Sequence, residues 1–539
     1  MTRLAPSGMR DASVHVAATS VLAAASVVLF PRAVEAAGTA LDIQSARGTG
    51  MAASVTAMID DSSAIFYNPA GIAQGRIVDA QAGDSLVMPS VKFTDTRGQS
   101  TSTLFRVSAP FQIYESGGIT DHLSVGIGVF TPFGLDVPWP SEWEGKSVVT
   151  EASLATYDFN PTLAYRIGPF RVGAGLQLVR ATVDLKKQID TPSEVSAELG
   201  ADTWGEGFDV GAQLEAVPRY LSLGVTYRSA VTLDFTGNVH FDNVPPPFQA
   251  TLHDQLVKTS LTNPDVLQMG VASRPVQNLL LDVDVVWYGW SKFHAIDIQY
   301  PNDTSGTLSA SSSEAKNWSN TVNVHLGGEL TVSGAWRVRA GVVYDPSPSP
   351  SNTLLPDVPD ANRLGLAVGL GYLHPSGFGV DLGYQLLVLF SKTSTVPPPL
   401  AGAYSGEGNI LGISVGYRTP KTAALERRGG PACGHPWKAR GYAPPPGSAL
   451  RFARRSRERS RRGGARRPRR RWRWRRAASR RRRSRPHPEP PSMLLGLSSR
   501  EARRLRRGPC RSRSRPPRGG LRPRLPSEKA RRCSVDASR

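Results

Sequence analysis

In Leu123-Ser124-Val125-Gly126-Ile127-Gly128-Val129, the residues Leu, Val, Ile and Val fall on one face of an extended strand, and Ser, Gly and Gly fall on the other. That period-two alternation belongs to a strand with one apolar face and one small, polar face. The apolar face suits lipid, and the small face suits the inside of a barrel.

The same division recurs on both sides of that segment. Val172, Ala174, Leu176 and Leu178 oppose Arg171, Gly173, Gly175 and Gln177, and Leu221, Leu223, Val225 and Tyr227 oppose Ser222, Gly224, Thr226 and Arg228. Further on, Trp336, Val338, Ala340, Val342 and Tyr344 face away from Arg337, Arg339 and Gly341, while Leu411, Ile413, Val415 and Tyr417 oppose Gly412, Ser414, Gly416 and Arg418. Alternation continues over residues 104–418 in segments of roughly ten, the length of one membrane-crossing strand.

A water-soluble β-sandwich also alternates, but its core side carries bulky residues and its other side charged ones. Here the second face is Gly, Ser and Arg, which suits a lumen that must leave space, and Tyr or Trp closes several strands as an aromatic girdle would. In lipid every backbone N–H and C=O needs a partner, and only closure removes the edges of a sheet. The fold class expected is therefore all-β, a transmembrane antiparallel β-barrel.

The formal charge of +21 suggests nucleic acid or an anionic surface until it is divided by segment. Residues 421–539 hold 40 Lys and Arg against 6 Asp and Glu, which leaves 25 against 38 upstream, so a mildly acidic body carries an extremely basic tail. All three cysteines, Cys433, Cys510 and Cys533, lie in that tail. A disulfide framework and a Cys-based metal site are thus excluded from the body.

Arg3 and Arg10, the apolar run from Val14 to Phe30, and Val34-Glu35-Ala36 form the pattern of a secretory signal peptide over residues 1–36. A transmembrane anchor is the alternative for that run. No later segment offers about 18 consecutive apolar residues. The body contains no Gly-x-Ser-x-Gly elbow, no His-Glu-x-x-His and no phosphate loop, so neither an enzyme nor a cofactor is expected.

Asp60-Asp61-Ser62-Ser63-Ala64-Ile65-Phe66-Tyr67-Asn68-Pro69-Ala70-Gly71 resembles the signature near the mature N-terminus of the FadL family of long-chain fatty-acid transporters. Collinear similarity continues through Phe130-Thr131-Pro132-Phe133-Gly134-Leu135, Asn160-Pro161-Thr162-Leu163, Gly224-Val225-Thr226-Tyr227-Arg228, Trp287-Tyr288-Gly289-Trp290 and Arg339-Ala340-Gly341-Val342-Val343-Tyr344-Asp345-Pro346. It covers about residues 38–418.

The resemblance implies a barrel of about 14 strands over residues 79–418, plugged by an N-terminal hatch over residues 37–78. It further implies that hydrophobic ligand, a long-chain fatty acid or an aromatic hydrocarbon, is captured outside and released sideways through the wall. Asn68, Pro69 and Ala70 match the hatch motif. Pro69 restrains Asn68 to an extended conformation, and the Asn68 amide can bind lumen backbone, although a plain Asx turn would use the same residues. Small residues such as Gly48, Gly50, Ala52, Ala53 and Ser54 would let the hatch pack tightly.

The family's lateral opening arises at an inward kink in an early strand, and Pro132 with Gly134 fits such a break; a plain strand end is the alternative. Arg180, Arg228, Arg337 and Arg339 are the candidates for holding a fatty-acid carboxylate by charge-assisted contacts, against simple pairing with Asp or Glu. The expected partners are outer-membrane lipid, a hydrophobic small molecule and the barrel-assembly machinery.

After Arg418 the periodicity stops. Residues 419–539 are rich in Arg, Pro, Gly and Ser, with runs such as Arg469-Arg470-Arg471-Trp472-Arg473-Trp474, and cannot build a packed core. They read as a disordered segment or as the product of a frameshift in a G/C-rich gene, with nucleic-acid binding as the alternative from another class.

Overall fold

The computed structural model describes residues 38–191, 193–303 and 313–419. The expected signal peptide and the tail from residue 420 onward lie outside the described residues.

Fourteen staves can be followed through the main sheet. They are β1 (Val78–Asp95), β2 (Ser100–Ser102 and Phe111–Gly118), β3 (Leu123–Phe130 and Gly134–Pro138), β4 (Glu151–Ile167) and β5 (Phe170–Ile189). Next come β6 (Val195–Val217), β7 (Leu221–Arg228 and Val231–Asp242), β8 (Gln255–Asn263 and Val266–Val276), β9 (Leu279–Tyr288) and β10 (Thr321–Thr331). The circuit ends with β11 (Trp336–Asp345), β12 (Arg363–Leu373), β13 (Phe378–Ser394) and β14 (Gly402–Arg418).

Each stave pairs antiparallel with the next, and β14 returns to β1 in an unbroken register from Asp79↔Arg418 to Asp95↔Gly402. Closure removes the sheet edges that a lipid solvent penalises, except along residues 104–110, where β2 and β3 are not laddered. Among the described residues no helix is long and apolar enough to cross a membrane, so the strands do the crossing.

The faces fall as period two dictates. Val125, Ile127, Val172, Leu176, Leu178, Leu223, Val225, Val338, Val342, Leu411 and Ile413 are exposed large apolar residues on the outside of the barrel. Exposed Tyr165, Phe170, Tyr220, Trp336 and Phe378 flank the short turns at one end and form a girdle there. Short turns mark the periplasmic end and long loops the outer end. The outer ends of β6, β7 and β8 carry polar outward residues such as Glu198, Asp202 and Asp242, so they extend beyond the apolar band.

Inside the lower barrel sit residues 38–77, folded as two short helices (Ala46–Gly50 and Ala64–Tyr67) and a 3-10 turn (Pro69–Ile72). Met51, Val55, Ile59, Ile65 and Tyr67 form one buried apolar cluster with the wall residues Tyr114, Phe130, Ala164 and Leu280. A larger cluster fills the outer half of the lumen, drawing on Leu135, Trp139, Trp143, Leu199, Leu233 and Trp290 among others.

Candidate functional site

The inward glycines are a seat for the hatch. A methyl group added at Gly173 would overlap the Pro69 carbonyl, at Gly211 the Asn68 side chain, at Gly224 the Thr56 carbonyl, at Gly341 the Met51 carbonyl and at Gly383 the Ala46 carbonyl. These positions lie on β5, β6, β7, β11 and β13, so the belt runs around most of the barrel. The sequence reading that this face leaves empty space is corrected accordingly: the absent side chains are replaced by hatch backbone, close-packed as in any protein interior.

Asn68 is the polar centre of the seat and is fully buried. Its Nδ2 donates to the carbonyl oxygens of Thr56 at 3.0 Å, Ala212 at 3.1 Å and Val225 at 3.4 Å, while its Oδ1 accepts from the Ala70 N–H at 3.2 Å. One side chain therefore makes both the Asx turn and the bond to the wall. Gln213 donates to the Thr56 and Ile59 carbonyls, Asp284 accepts from the Val55 and Thr56 N–H groups, and His325 Nδ1 lies 2.7 Å from the Ala52 carbonyl oxygen. Ala52 and Ala53 both sit at positive φ, a strained conformation that the His325 contact and the Ala53 N–H bond to Gly48 hold in place.

At the periplasmic end an ion-pair cluster fixes the hatch from below. Arg47 reaches Asp60 at 3.0 Å, Asp61 at 2.7 Å and Glu329 on β10 at 3.3 Å. Arg418, the last residue of β14, donates to the Asp60 carbonyl and pairs with Asp79. Burial would raise Asp60 and Asp61, but Arg47 and Arg418 beside them hold both carboxylates below the usual range. These groups line a polar cavity of about 270 Å³ together with Arg337, Arg339 and Asp381.

The four candidate arginines divide. Arg228 is buried on the lumen side, donating to Asp158 at 3.0 Å and to the Phe66 carbonyl at 3.1 Å, with its guanidinium over the Phe66 and Phe130 rings. Arg339 is buried between Glu329 and Asp381, at 2.8 and 2.6 Å. Arg337 faces the periplasmic cavity, with Glu329 at 3.8 Å. Arg180, expected inside, shares the outer face with Leu176 and Leu178; it pairs with Asp202 at 2.6 Å and lies over Trp204, which is 59% exposed. Its strand parity is that of the lipid face, at the top of the apolar band.

The wall is interrupted in β3 between Phe130 and Gly134. Before the break Phe130 pairs with Asp158, and after it Gly134 pairs with Ala155, so β3 spends one residue more than β4 and its faces exchange as at a β-bulge. The first described residues fill the break from inside: Leu41 N–H donates to the Pro132 carbonyl at 2.9 Å and Gly134 N–H donates to the Thr39 carbonyl at 2.8 Å, with Ala40 opposite Phe133.

Several site residues carry no sequence signal. Arg47 is a lone basic residue in a small-residue segment, and Lys316 lies in a loop, where its buried amine pairs with Asp357 at 2.6 Å. Only long-range partners give these residues meaning. Among the described residues no group of three His, Cys, Asp or Glu side chains is placed to hold a metal.

Comparison with known proteins follows the same architecture. Residues 27–418 match the family described as outer membrane protein transport protein (OMPP1/FadL/TodX). The chain is 24% identical over 439 residues to a long-chain fatty acid transport protein of Escherichia coli O6:H1, covering 73% of this chain and 97% of that one. With outer membrane protein P1 of Haemophilus influenzae it shares 23% over 433 residues, covering 70% and 92%. A Pseudomonas aeruginosa FadL homologue superposes with a TM-score of 0.61 at 19% identity, covering 71% of this chain and 99% of that one, and the Pseudomonas putida toluene transporter TodX with 0.54 at 13%, covering 69% and 97%. The chain belongs to the outer membrane protein transport family (OMPP1/FadL/TodX), as a hatch-plugged outer-membrane β-barrel and not an enzyme.

Proposed function

We propose that the protein takes up hydrophobic small molecules, long-chain fatty acids foremost, through its apolar outer lumen and releases them sideways at the break in β3. One observation carries this reading: the lumen is divided. Its outer half is the apolar cluster, and its periplasmic end is a charged cavity above which the hatch fills the bore. An aliphatic chain gains by burial in the first and would lose by contact with the second. The wall beside Phe133 is therefore the cheaper way out, with residues 39–41 as the moving part and the seated hatch as the fixed one. A small cavity of about 60 Å³ near the outer end, lined by Val149, Leu185, Leu199 and Tyr300 with Lys186, Lys187, Glu314 and Asp357 at its polar side, fits capture of an apolar chain. The outer-membrane lipid and the barrel-assembly machinery are the partners that insertion of such a barrel requires.

Aromatic hydrocarbons are the second reading, favoured by a specific observation. Arg180 is on the outer face, and Arg228 and Arg339 each hold a close carboxylate, so neither of these two buried arginines offers a fatty-acid head group a free guanidinium in the lumen. Uptake of radiolabelled oleate and toluene by cells lacking their own transporter, expressing this chain or its Asn68→Ala variant, separates the two. Oleate uptake reduced in the variant supports the first reading, toluene uptake alone the second, and neither with the barrel inserted removes both.

A further inference from the structure

The staves β2 and β3 do not simply part at the break; they overlap. Below it they pair residue for residue from Gly118↔Ser124 to Ile113↔Val129. Above it the two backbones share one bond, from Leu104 N–H to the Pro138 carbonyl at 2.7 Å, while β3 turns to β4. Asp136 pairs with Ser153 of β4, whose neighbours Leu154 and Ala152 belong to the lumen cluster, so Asp136 and Ser153 point away from the lumen. Ser108 sits opposite Val87, a lumen-facing residue of β1, and so points inward.

Ser108 and Asp136 nevertheless touch, the Ser108 hydroxyl donating to Asp136 at 3.1 Å. An inward side chain on β2 meets an outward one on β3 only if Gly134–Pro138 lies on the lumen side of residues 104–110. The burial agrees: all five residues of Gly134–Pro138 are buried, and outward Asp136 and Ser153 are 1% and 5% exposed. Arg106 closes the overlap, placing Nη1 2.8 Å from Asp136 and 2.8 Å from Glu151 on β4. Its neighbours Leu104, Phe105 and Val107 are exposed apolar residues.

We infer that residues 104–110 form an outer flap over the break in β3, fastened by Arg106 to Asp136 and Glu151, and that this fastening opens when ligand leaves through the wall. The inference rests on sideways release as proposed above, and it makes Arg106 a positioning residue for that step. A charge-assisted pair at a site 30% exposed on the Arg side and 1% on the Asp136 side is strong enough to hold a seam shut and weak enough to exchange with water or with a departing head group.

Two measurements test it, both in a background with Cys433, Cys510 and Cys533 replaced by Ser, since the body has no cysteine of its own. In the first, Ser153→Cys is labelled with N-ethylmaleimide in outer membranes. Labelling is expected to be slow at rest and to quicken about tenfold, the effect of losing a modest closing energy, when Arg106→Met is added but not Arg106→Lys. Fast labelling at rest, or no response to Arg106→Met with heat-modifiable mobility intact, overturns the flap. In the second, the pair Ser108→Cys and Asp136→Cys is oxidised to a disulfide. The locked protein should still bind a fluorescent fatty acid yet lose oleate uptake until reduced; unimpaired uptake, or binding lost together with uptake, overturns the release step. Failure of sideways transport itself would show differently, as no uptake by the parent chain while Ser153→Cys still responds to Arg106→Met.

Discussion

Asn68 and Gly211 occupy one another's space: the Asn68 amide fills the volume that any side chain on residue 211 would take, and its Nδ2 reaches the neighbouring Ala212 carbonyl at 3.1 Å. The asparagine and the glycine are one fitting made of two parts, contributed by hatch and wall. Truncating the first or enlarging the second should have the same consequence.

Asn68→Ala removes the amide that bridges the Thr56, Ala212 and Val225 carbonyls, of which Thr56 keeps a donor in Gln213, at a cost of about 1–3 kcal/mol. Gly211→Ala should do at least as much, because the added methyl displaces the amide. Gly408→Ala serves as the control, since its methyl would meet Leu387 at an ordinary 3.7 Å. The temperature at which the barrel loses its fast-migrating gel form should fall for the first two and hold for the third; equal effects at Gly211 and Gly408 would refute the seat.

How much of this was legible follows from where the partners lie. β3, β5, β7, β11 and β14 announce themselves because one face meets lipid, a uniform solvent that demands apolar residues at period two. β1 does not, because its outward face runs through Ala80, Ala82 and Asp84, too small and polar to stand out. The same parity separates inward Arg228 from outward Arg180, yet it cannot show that Arg228 belongs to Asp158, seventy residues away. Inward glycine was visible as small but not as filled, since the filling comes from a segment more than a hundred residues upstream. The bulge in β3 exchanges the two faces, so beyond Pro132 the alternation points the wrong way for Asp136.

The β1–β14 register ends at Asp79↔Arg418, and the one further backbone bond, from the N–H of residue 419 to the Val78 carbonyl at 2.9 Å, is one that any residue at that position can make. Cutting the chain after Arg418 and adding a terminal Phe should therefore insert at least as well as the full chain, measured as heat-modifiable protein in outer-membrane extracts. A clear loss of insertion would show that residues beyond Arg418 contribute to assembly.

Lys316 ties the outer loops together. Its amine is buried with Asp357 at 2.6 Å and Glu314 at 3.3 Å, and burial, with Asp357 adding to it, raises the Glu314 carboxyl above its usual value even beside that amine. Lys316→Met leaves Asp357 buried without its cation, at about 3–5 kcal/mol for a broken buried pair. Because the loss falls on loops and not on the barrel ladder, protease cleavage in the outer loops should rise while gel mobility stays unchanged.

Arg47 gives the prediction with the sharpest pH dependence. In the parent chain Asp60 and Asp61 are held below the ordinary carboxylate value by Arg47 and Arg418. A depressed carboxylate stabilises the folded state above its unfolded value of about 4, and that contribution is lost only as pH falls through the lower folded value. The contribution of Asp60 and Asp61 to hatch retention should therefore be flat between pH 7 and pH 5. Arg47→Met removes the cation shared by Asp60, Asp61 and Glu329, so these carboxylates repel one another and their affinity for protons rises. The variant should then be least stable at pH 7 and regain stability as the pH is lowered to 5, the reverse of an ordinary acid-sensitive ion pair. Heat-modifiable mobility at the two pH values decides it, and a variant with no pH dependence would mean that Arg418 alone compensates the cluster.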